Sequence, residues 1–287
     1  PEGYVEAMLA SYSKERINRD IYGSFDIFEG MIYTEFDRAT HVVKPFKIPE
    51  DWPRYIGVDH GFRNPSAWVF GAVSPDGEIY IYDEFYKSEW TIPEIINGKR
   101  DEEGKLVEGG VMHKIGKQAI VEARIDPSTK ANKGRTNSKG EAVSDYTIYV
   151  DELPDGFPLM LANNSVSTGI DRVKGYLKVD EKVGRPRCFI FDTCTHLLDE
   201  AGEYRWKELS AGRQGHENEK EEPHKHNDHA MDAWRYLMMS QPEPHEDIDD
   251  WYHKHNVAKD STAARLHEDL EKLRNPVVAT DPFGDGI

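Results

Sequence analysis

The chain has 287 residues, and its 36 basic against 53 acidic side chains give a formal net charge of −17 at pH 7. This charge excludes a protein that coats nucleic acid through its net charge, so any contact with DNA must be local. The sequence contains no apolar run of membrane-spanning length and no signal peptide, and Cys188 and Cys194 lack CxxC spacing. We therefore expect a reduced, soluble, intracellular protein without a disulfide or zinc site.

The first 53 residues predict a helix followed by two strands. The helical pattern runs from Tyr4 to Ile17, and strand-like patterns cover residues 31–36 and 41–46. Pro49 and Pro53 then close the segment. We interpret this part of the chain as a lead-in or linker.

A regular pattern of strands begins at Tyr55. Three strands are predicted at residues 55–59, 66–73 and 78–86, and Ser74-Pro75-Asp76-Gly77 predicts a hairpin between the last two. A helix is predicted after Pro93 and a surface loop at residues 97–110. A short helix at 111–116 and a fourth strand at 118–126 follow.

Strands and helices alternate in the second half of the chain. Strands are predicted at residues 159–162 and 188–191, helices at 167–177 and 195–206, a polar loop at 212–225, and a last helix opening at 226–238. A hairpin followed by alternating strands and helices predicts the α/β class, with a mixed sheet and helices on its faces.

Two of the predicted strands end on an aspartate, Asp59 and Asp126. An aspartate at this position also caps loops and helices, but ligands in open α/β sheets gather at the carboxyl ends of strands. The last helix adds Asp228 and Asp232, spaced i and i+4, on the face opposite an apolar stripe and together with Arg235. Acids at a helix N-terminus also suit the helix dipole, so each acid alone has an ordinary structural explanation.

Four acids without cysteine ligands favour Mg²⁺ or Mn²⁺. Two such ions bridged by Asp59 would activate water and stabilise the leaving oxygen in phosphodiester hydrolysis. His224, His226 and His229 could indicate zinc, but a His-rich approach to a helix is more typical of an exposed polar segment. We expect His60 to point away from the acids, because side chains alternate along a strand.

The segment from Lys114 to Lys139 holds seven basic and two acidic residues within an acidic chain. A solvated loop would explain these charges equally well. Since the segment includes Asp126, we predict that its later cations grip DNA phosphates without reading bases: Lys130, Lys133, Arg135 and Lys139.

Four motifs in this order, GVDHG, DEFY, ARIDPS and NDHAMDAWRY, resemble the nuclease domain of the large terminase subunit of tailed bacteriophages. The resemblance extends to MIYTEFDRATHVVKPF, ANNSVSTGIDRVKGYL and DEAGEYRW, and spans roughly residues 20 to 240. It implies a ribonuclease H-like mixed β-sheet flanked by helices on both faces, in which Asp59, Asp126 and Asp228 are catalytic and bind two metal ions.

The resemblance further implies that Asp232 is a fourth or supporting metal ligand. Glu84 and His229 would support the ligands without binding metal, and the strand phase of Glu84 decides whether it faces the site.

The resemblance divides the chain into three parts. Residues 1–53 would be the lead-in from a missing ATPase motor, residues 54–240 would be the nuclease domain, and residues 241–287 would be an acidic tail with one amphipathic helix. A missing motor fits a chain that begins Pro1-Glu2-Gly3 without Met. The motor's GxxxxGK[ST] loop does not occur, so we expect no ATP hydrolysis by this chain. The implied partners are double-stranded DNA, the portal protein and the small terminase subunit, in the cytoplasm of the infected host at the procapsid portal.

Two other functions fit the same residues. A junction resolvase or integrase would reuse the carboxylates on the same fold. A non-catalytic module that docks DNA or the portal would retain the fold without binding metal. The sequence leaves both alternatives open.

Overall fold

The computed structural model describes residues 30–136, 140, 142–180, 183–207 and 222–241. Its strands are β1 (Val42–Val43), β2 (Arg54–Asp59), β3 (Ser66–Val73), β4 (Ile79–Lys87), β5 (Lys99–Arg100), β6 (Leu106–Glu108), β7 (Ile120–Ile125), β8 (Asn132–Thr136), β9 (Ala142–Ser144), β10 (Leu159–Leu161) and β11 (Cys188–Phe191). Its helices are α1 (Arg38–His41), α2 (Ile92–Asn97), α3 (Val111–Ile115), α4 (Asp145–Glu152), α5 (Val166–Leu177), α6 (Thr195–Ala201) and α7 (His229–Met239). None of these helices is long and apolar enough to cross a membrane.

Within the described residues, seven strands form one mixed sheet in the order β1-β11-β4-β3-β2-β7-β10. β3 is antiparallel to both β2 and β4, and the hairpin of β3 and β4 is the one that the Pro-Asp-Gly turn predicts. The outer pairs, β2 with β7, β7 with β10, β4 with β11 and β11 with β1, are parallel. The predicted mixed α/β sheet is confirmed.

Helices cover both faces of this sheet, as predicted. Alternation along β3 sends Trp68 and Phe70 to one face, where they pack against α2, α3 and α4. Ala67 and Val69 point to the other face and pack with α5, α6 and α7. The apolar stripe of α7 is buried here, with Trp234 fully inaccessible.

Gly57 allows α7 to lie directly on β2. A Cβ atom at this position would be only 1.8 Å from the carbonyl oxygen of Ala233. Only glycine permits such a close approach between a strand and a helix backbone. The contact places the first turn of α7 near the carboxyl end of β2, where Asp59 lies.

Three predictions in the first half of the chain are wrong in detail. Residues 31–36 form no strand beyond an isolated bridge between Met31 and Arg205, because Ile32 and Tyr33 are instead buried in the core. The strand predicted at 41–46 is reduced to β1, because the carboxylate of Asp37 caps α1 just before it. The predicted surface loop at 97–110 contains the β5–β6 hairpin.

The second half also departs from the predicted elements. The helix predicted to reach residue 206 ends at Ala201, and residues 145–152 form the unpredicted helix α4. The basic segment after Asp126 contains a short 3-10 turn and the β8–β9 hairpin. The helix predicted at 4–17, most of the loop at 212–225 and the tail beyond residue 241 lie outside the described residues.

The described part of the predicted lead-in packs on the sheet. Its β1 pairs with β11, and Ile32, Tyr33 and Ile48 contribute to the core. We therefore propose that the folded unit begins before residue 54.

Candidate active site

Asp59 and Asp126 lie side by side at the carboxyl end of two parallel strands. Asp59 ends β2 and is 8% exposed. Asp126 follows β7, and its backbone N–H donates to the carbonyl oxygen of Val58 at 3.2 Å. The carboxylate of Asp126 also caps the 3-10 turn that follows, accepting from the backbone N–H and hydroxyl of Ser128 at 2.8 and 2.7 Å.

The acids of α7 lie within one turn of each other. Asp228 is the N-cap residue and Asp232 stands in the first turn. The helical pattern predicts that Arg235 projects with them, but this prediction is wrong: Arg235 is 1% exposed and packs against Gly169 of α5. From this buried position its Nη2 donates to Asp232 Oδ1 at 2.6 Å, which fixes the carboxylate.

The carboxylates at the strand ends and on α7 influence each other electrostatically. The pKa of Asp59 is raised to about 6, mainly by burial; the hydrogen bond from His229 opposes this rise, and the charges of Asp232 and Asp126 contribute to it. Burial also raises the pKa of Asp228, followed by the charge of Asp232. Asp232 is therefore the member of α7 that couples to both Asp59 and Asp228.

His229 contacts Asp59 directly. Its Nδ1 lies 2.9 Å from Asp59 Oδ2, and this hydrogen bond is the main cause of the raised pKa of His229. His60, the neighbour of Asp59 in sequence, points to the other face of the sheet, where its Nδ1 lies 2.9 Å from the Tyr149 hydroxyl. The predicted orientation of His60 is confirmed.

Glu200 holds the start of α7, a role that sequence reasoning missed. Its Oε2 accepts from the backbone N–H groups of Ala230 and Met231 at 2.7 and 3.1 Å. Its Oε1 accepts from the Tyr86 hydroxyl at 2.7 Å, and burial raises its pKa to about 7. The signal available in the sequence was an acid among the apolar residues of α6, at positions 197, 198 and 201.

Glu84, on β4, contacts the first turn of α6. Its carboxylate accepts from the backbone N–H groups of His196 and Leu197, both at 2.9 Å, and from His196 Nδ1 at 2.7 Å. Glu84 thereby caps α6, the helix that carries Glu200. This position agrees with a supporting role.

The proposed DNA-binding cations are only partly described. Lys130 is exposed at the end of the turn that Asp126 caps. Lys133 and Arg135 belong to β8, where only their backbone is described. Lys139 lies outside the described residues.

No group of three His, Cys, Asp or Glu side chains in the described part of the chain is arranged to hold a metal ion. Three of the four acids have a side-chain partner: His229 for Asp59, Ser128 for Asp126 and Arg235 for Asp232. The donor set nevertheless fits a hard divalent cation, because it consists of carboxylate oxygens whose negative charges repel one another.

Comparison with solved structures identifies the architecture. The chain is similar to the large terminase from the thermophilic bacteriophage D6E, with a TM-score of 0.54 and 23% identity over 83% of this chain and 52% of that chain. It has the fold of part of a large terminase. The resemblance seen in the sequence is thus confirmed at the level of the fold, and the chain spans about half the length of the D6E terminase.

Two isolated terminase nuclease domains match the chain with TM-scores below 0.5. One is the P22 large terminase nuclease domain, with a TM-score of 0.49 and 22% identity over 74% of this chain and 93% of that chain. Another is the large terminase nuclease from thermophilic phage G20c with bound cobalt, with a TM-score of 0.45 and 13% identity over 74% and 97%. No protein-family profile and no curated protein sequence matches the chain.

Proposed function

We propose that this chain is a metal-dependent endonuclease that cuts concatemeric viral double-stranded DNA during genome packaging. One observation supports this most strongly: Asp59 and Asp126 lie side by side at the ends of two parallel strands in a chain with a terminase fold, and the charges of Asp126 and of Asp232 on α7 both raise the pKa of Asp59. Clustered acids repel unless a cation lies among them. Such clusters are a common device of phosphodiester hydrolysis.

Two divalent ions, Mg²⁺ or Mn²⁺, would supply an activated water and stabilise the leaving oxygen. We propose that Asp59, Asp126, Asp232 and Asp228 hold them. The chain's own contribution is to orient these ligands. His229 holds one oxygen of Asp59, and the buried guanidinium of Arg235 holds one oxygen of Asp232.

The remaining proposals concern DNA and partners. Lys130, Lys133, Arg135 and Lys139 would hold DNA phosphates, so cutting should show little sequence preference. In the whole protein the portal and the small terminase subunit would be the partners, in the cytoplasm of the infected host. We propose that ATP hydrolysis belongs to another part of that protein.

Plasmid cleavage tests the proposal. We expect the chain to nick and linearise supercoiled plasmid with Mg²⁺ or Mn²⁺, and not with EDTA. Asp59→Asn should abolish cleavage, whereas Asp151→Asn, which alters an exposed acid on α4, should leave it unchanged. Absence of cleavage with both metals, or undiminished cleavage by Asp59→Asn, would contradict the proposal. Preference for four-way junctions over linear duplex would favour a resolvase instead.

A further inference from the structure

A cavity of about 560 Å³ opens beside the turn that follows Asp59. Its size falls within the range of about 300–1,000 Å³ that small-molecule sites occupy. It lies on the face of the sheet opposite α7, and its lining includes His60, Phe62, Trp90, Ile92, Asp145 and Ile148. None of these side chains belongs to the proposed metal site.

The walls of this cavity combine aromatic surface with a buried acceptor. Phe62 is 53% exposed, and the buried Trp90 forms another wall. Asp145 is 3% exposed and lies 3.8 Å from His60 Nε2. Aromatic walls beside a carboxylate match a flat ring that carries amino groups, such as cytosine or adenine.

The charges around the cavity favour a nucleotide with its base inside. Lys99 Nζ lies 4.9 Å from the centre of the Trp90 ring, and the exposed Arg63 follows Phe62 in the turn. Asp145 inside would repel a phosphate, so the phosphate of a bound nucleotide would lie outside the cavity.

We infer that this cavity is a nucleobase pocket, which takes an unstacked base of the DNA strand next to the cleavage site. The inference rests on the proposed function, because it requires DNA at the carboxyl end of β2. His60, Gly61 and Phe62 follow Asp59 without a break, so the lining of the cavity begins at the residue next to the proposed metal site. Extracting a base costs only a few kcal/mol, which stacking on aromatic side chains can offset.

Binding of single-stranded oligonucleotides to the full 287-residue chain tests this without any cleavage. Fluorescence anisotropy in Ca²⁺ would compare oligo-dC with an abasic strand of equal length. We expect about tenfold tighter binding of oligo-dC, the value of stacking one or two bases. Ile148→Trp, which fills the cavity, should remove this difference. Val150→Trp, which adds the same bulk at an exposed position of α4, should retain it.

A second variant, Asp145→Asn, tests the inference without filling the cavity. We expect the chain to prefer oligo-dC over oligo-dT, because Asp145 accepts from the cytosine amino group, and Asp145→Asn to lose this preference. Equal affinity of the unmodified chain for oligo-dC and the abasic strand would overturn the inference and leave a protein side chain as the occupant. An unchanged ratio of the affinities for oligo-dC and the abasic strand in Ile148→Trp would also overturn it. Base discrimination without plasmid cleavage would count against the proposed function alone.

Discussion

Without a bound metal, the fold disfavours the charged form of Asp59. Its pKa rises from 3.8 to about 6, so the folded state binds the proton more tightly than the unfolded state. Stability without added metal should therefore fall as pH rises from about 4 to about 6. Asp59→Asn removes this penalty, and we expect it to raise the free energy of unfolding at pH 7 by up to about 3 kcal/mol.

Thermal unfolding in EDTA measures this effect. The melting temperature of Asp59→Asn should exceed that of the unmodified chain at pH 7 and approach it at pH 4. Asp151→Asn serves as the control and should match the unmodified chain at both pH values. A lower melting temperature for Asp59→Asn at pH 7 would show that the hydrogen bond from His229 outweighs the cost of burial.

The two acids of α7 should differ in importance. Asp232 raises the pKa of Asp59 and is fixed by Arg235, whereas Asp228 is the N-cap residue of the helix. We predict that Asp228→Asn, which changes the less firmly oriented of the two proposed ligands, lowers the cleavage rate about 10- to 100-fold. Asp232→Asn should cost more. Rates on supercoiled plasmid at saturating Mn²⁺ measure both, and the reverse order would contradict this assignment.

At the level of elements, the site depends on the contact between β2 and α7. We predict that Gly57→Ala destabilises the chain by about 3 kcal/mol or more, because the new methyl group would meet the backbone of Ala233. Gly71→Ala is the matched control: its methyl would lie 3.0 Å from a mobile end of the Leu237 side chain. Urea unfolding compares the two, and equal stability would show that α7 can shift away from β2.

Glu200 ties α6 to the first turn of α7. Glu200→Ala would leave two backbone N–H groups and the Tyr86 hydroxyl without this acceptor. We expect a loss of about 3 kcal/mol or more in the free energy of unfolding, since each buried unsatisfied group costs about 1–3 kcal/mol. Glu200→Gln keeps an acceptor oxygen and should recover much of the loss. Identical stability of both variants would contradict the role of Glu200.

The elements that sequence predicts well are those with a strong local pattern. Short apolar segments located β2, β3, β7 and β11, and the Pro-Asp-Gly turn located the hairpin. α4 escaped prediction because it is short and only two of its residues are buried, Asp145 and Tyr149. The buried positions of Arg235 and Glu200 depend on neighbouring helices, which periodicity within one segment does not reveal.

For the whole molecule, the net charge of −17 means that DNA binding must come from local cations. We predict that Lys130→Gln weakens duplex binding equally for unrelated sequences and lowers the slope of log affinity against log salt by about 1. Lys178→Gln, an exposed lysine at the end of α5, is the control and should have no effect. Fluorescence anisotropy between about 50 and 200 mM salt gives the slopes. An unchanged slope for Lys130→Gln would exclude a phosphate contact there.

The central claim is that acids from β2, β7 and α7 form one metal site. Calorimetric titration of the full chain with Mn²⁺ tests it most directly. We predict saturable binding that Asp59→Asn, Asp126→Asn and Asp232→Asn each weaken strongly, while Asp151→Asn binds like the unmodified chain. Absence of Mn²⁺ binding, or binding that survives all three substitutions, would contradict the account and favour a docking module that no longer binds metal.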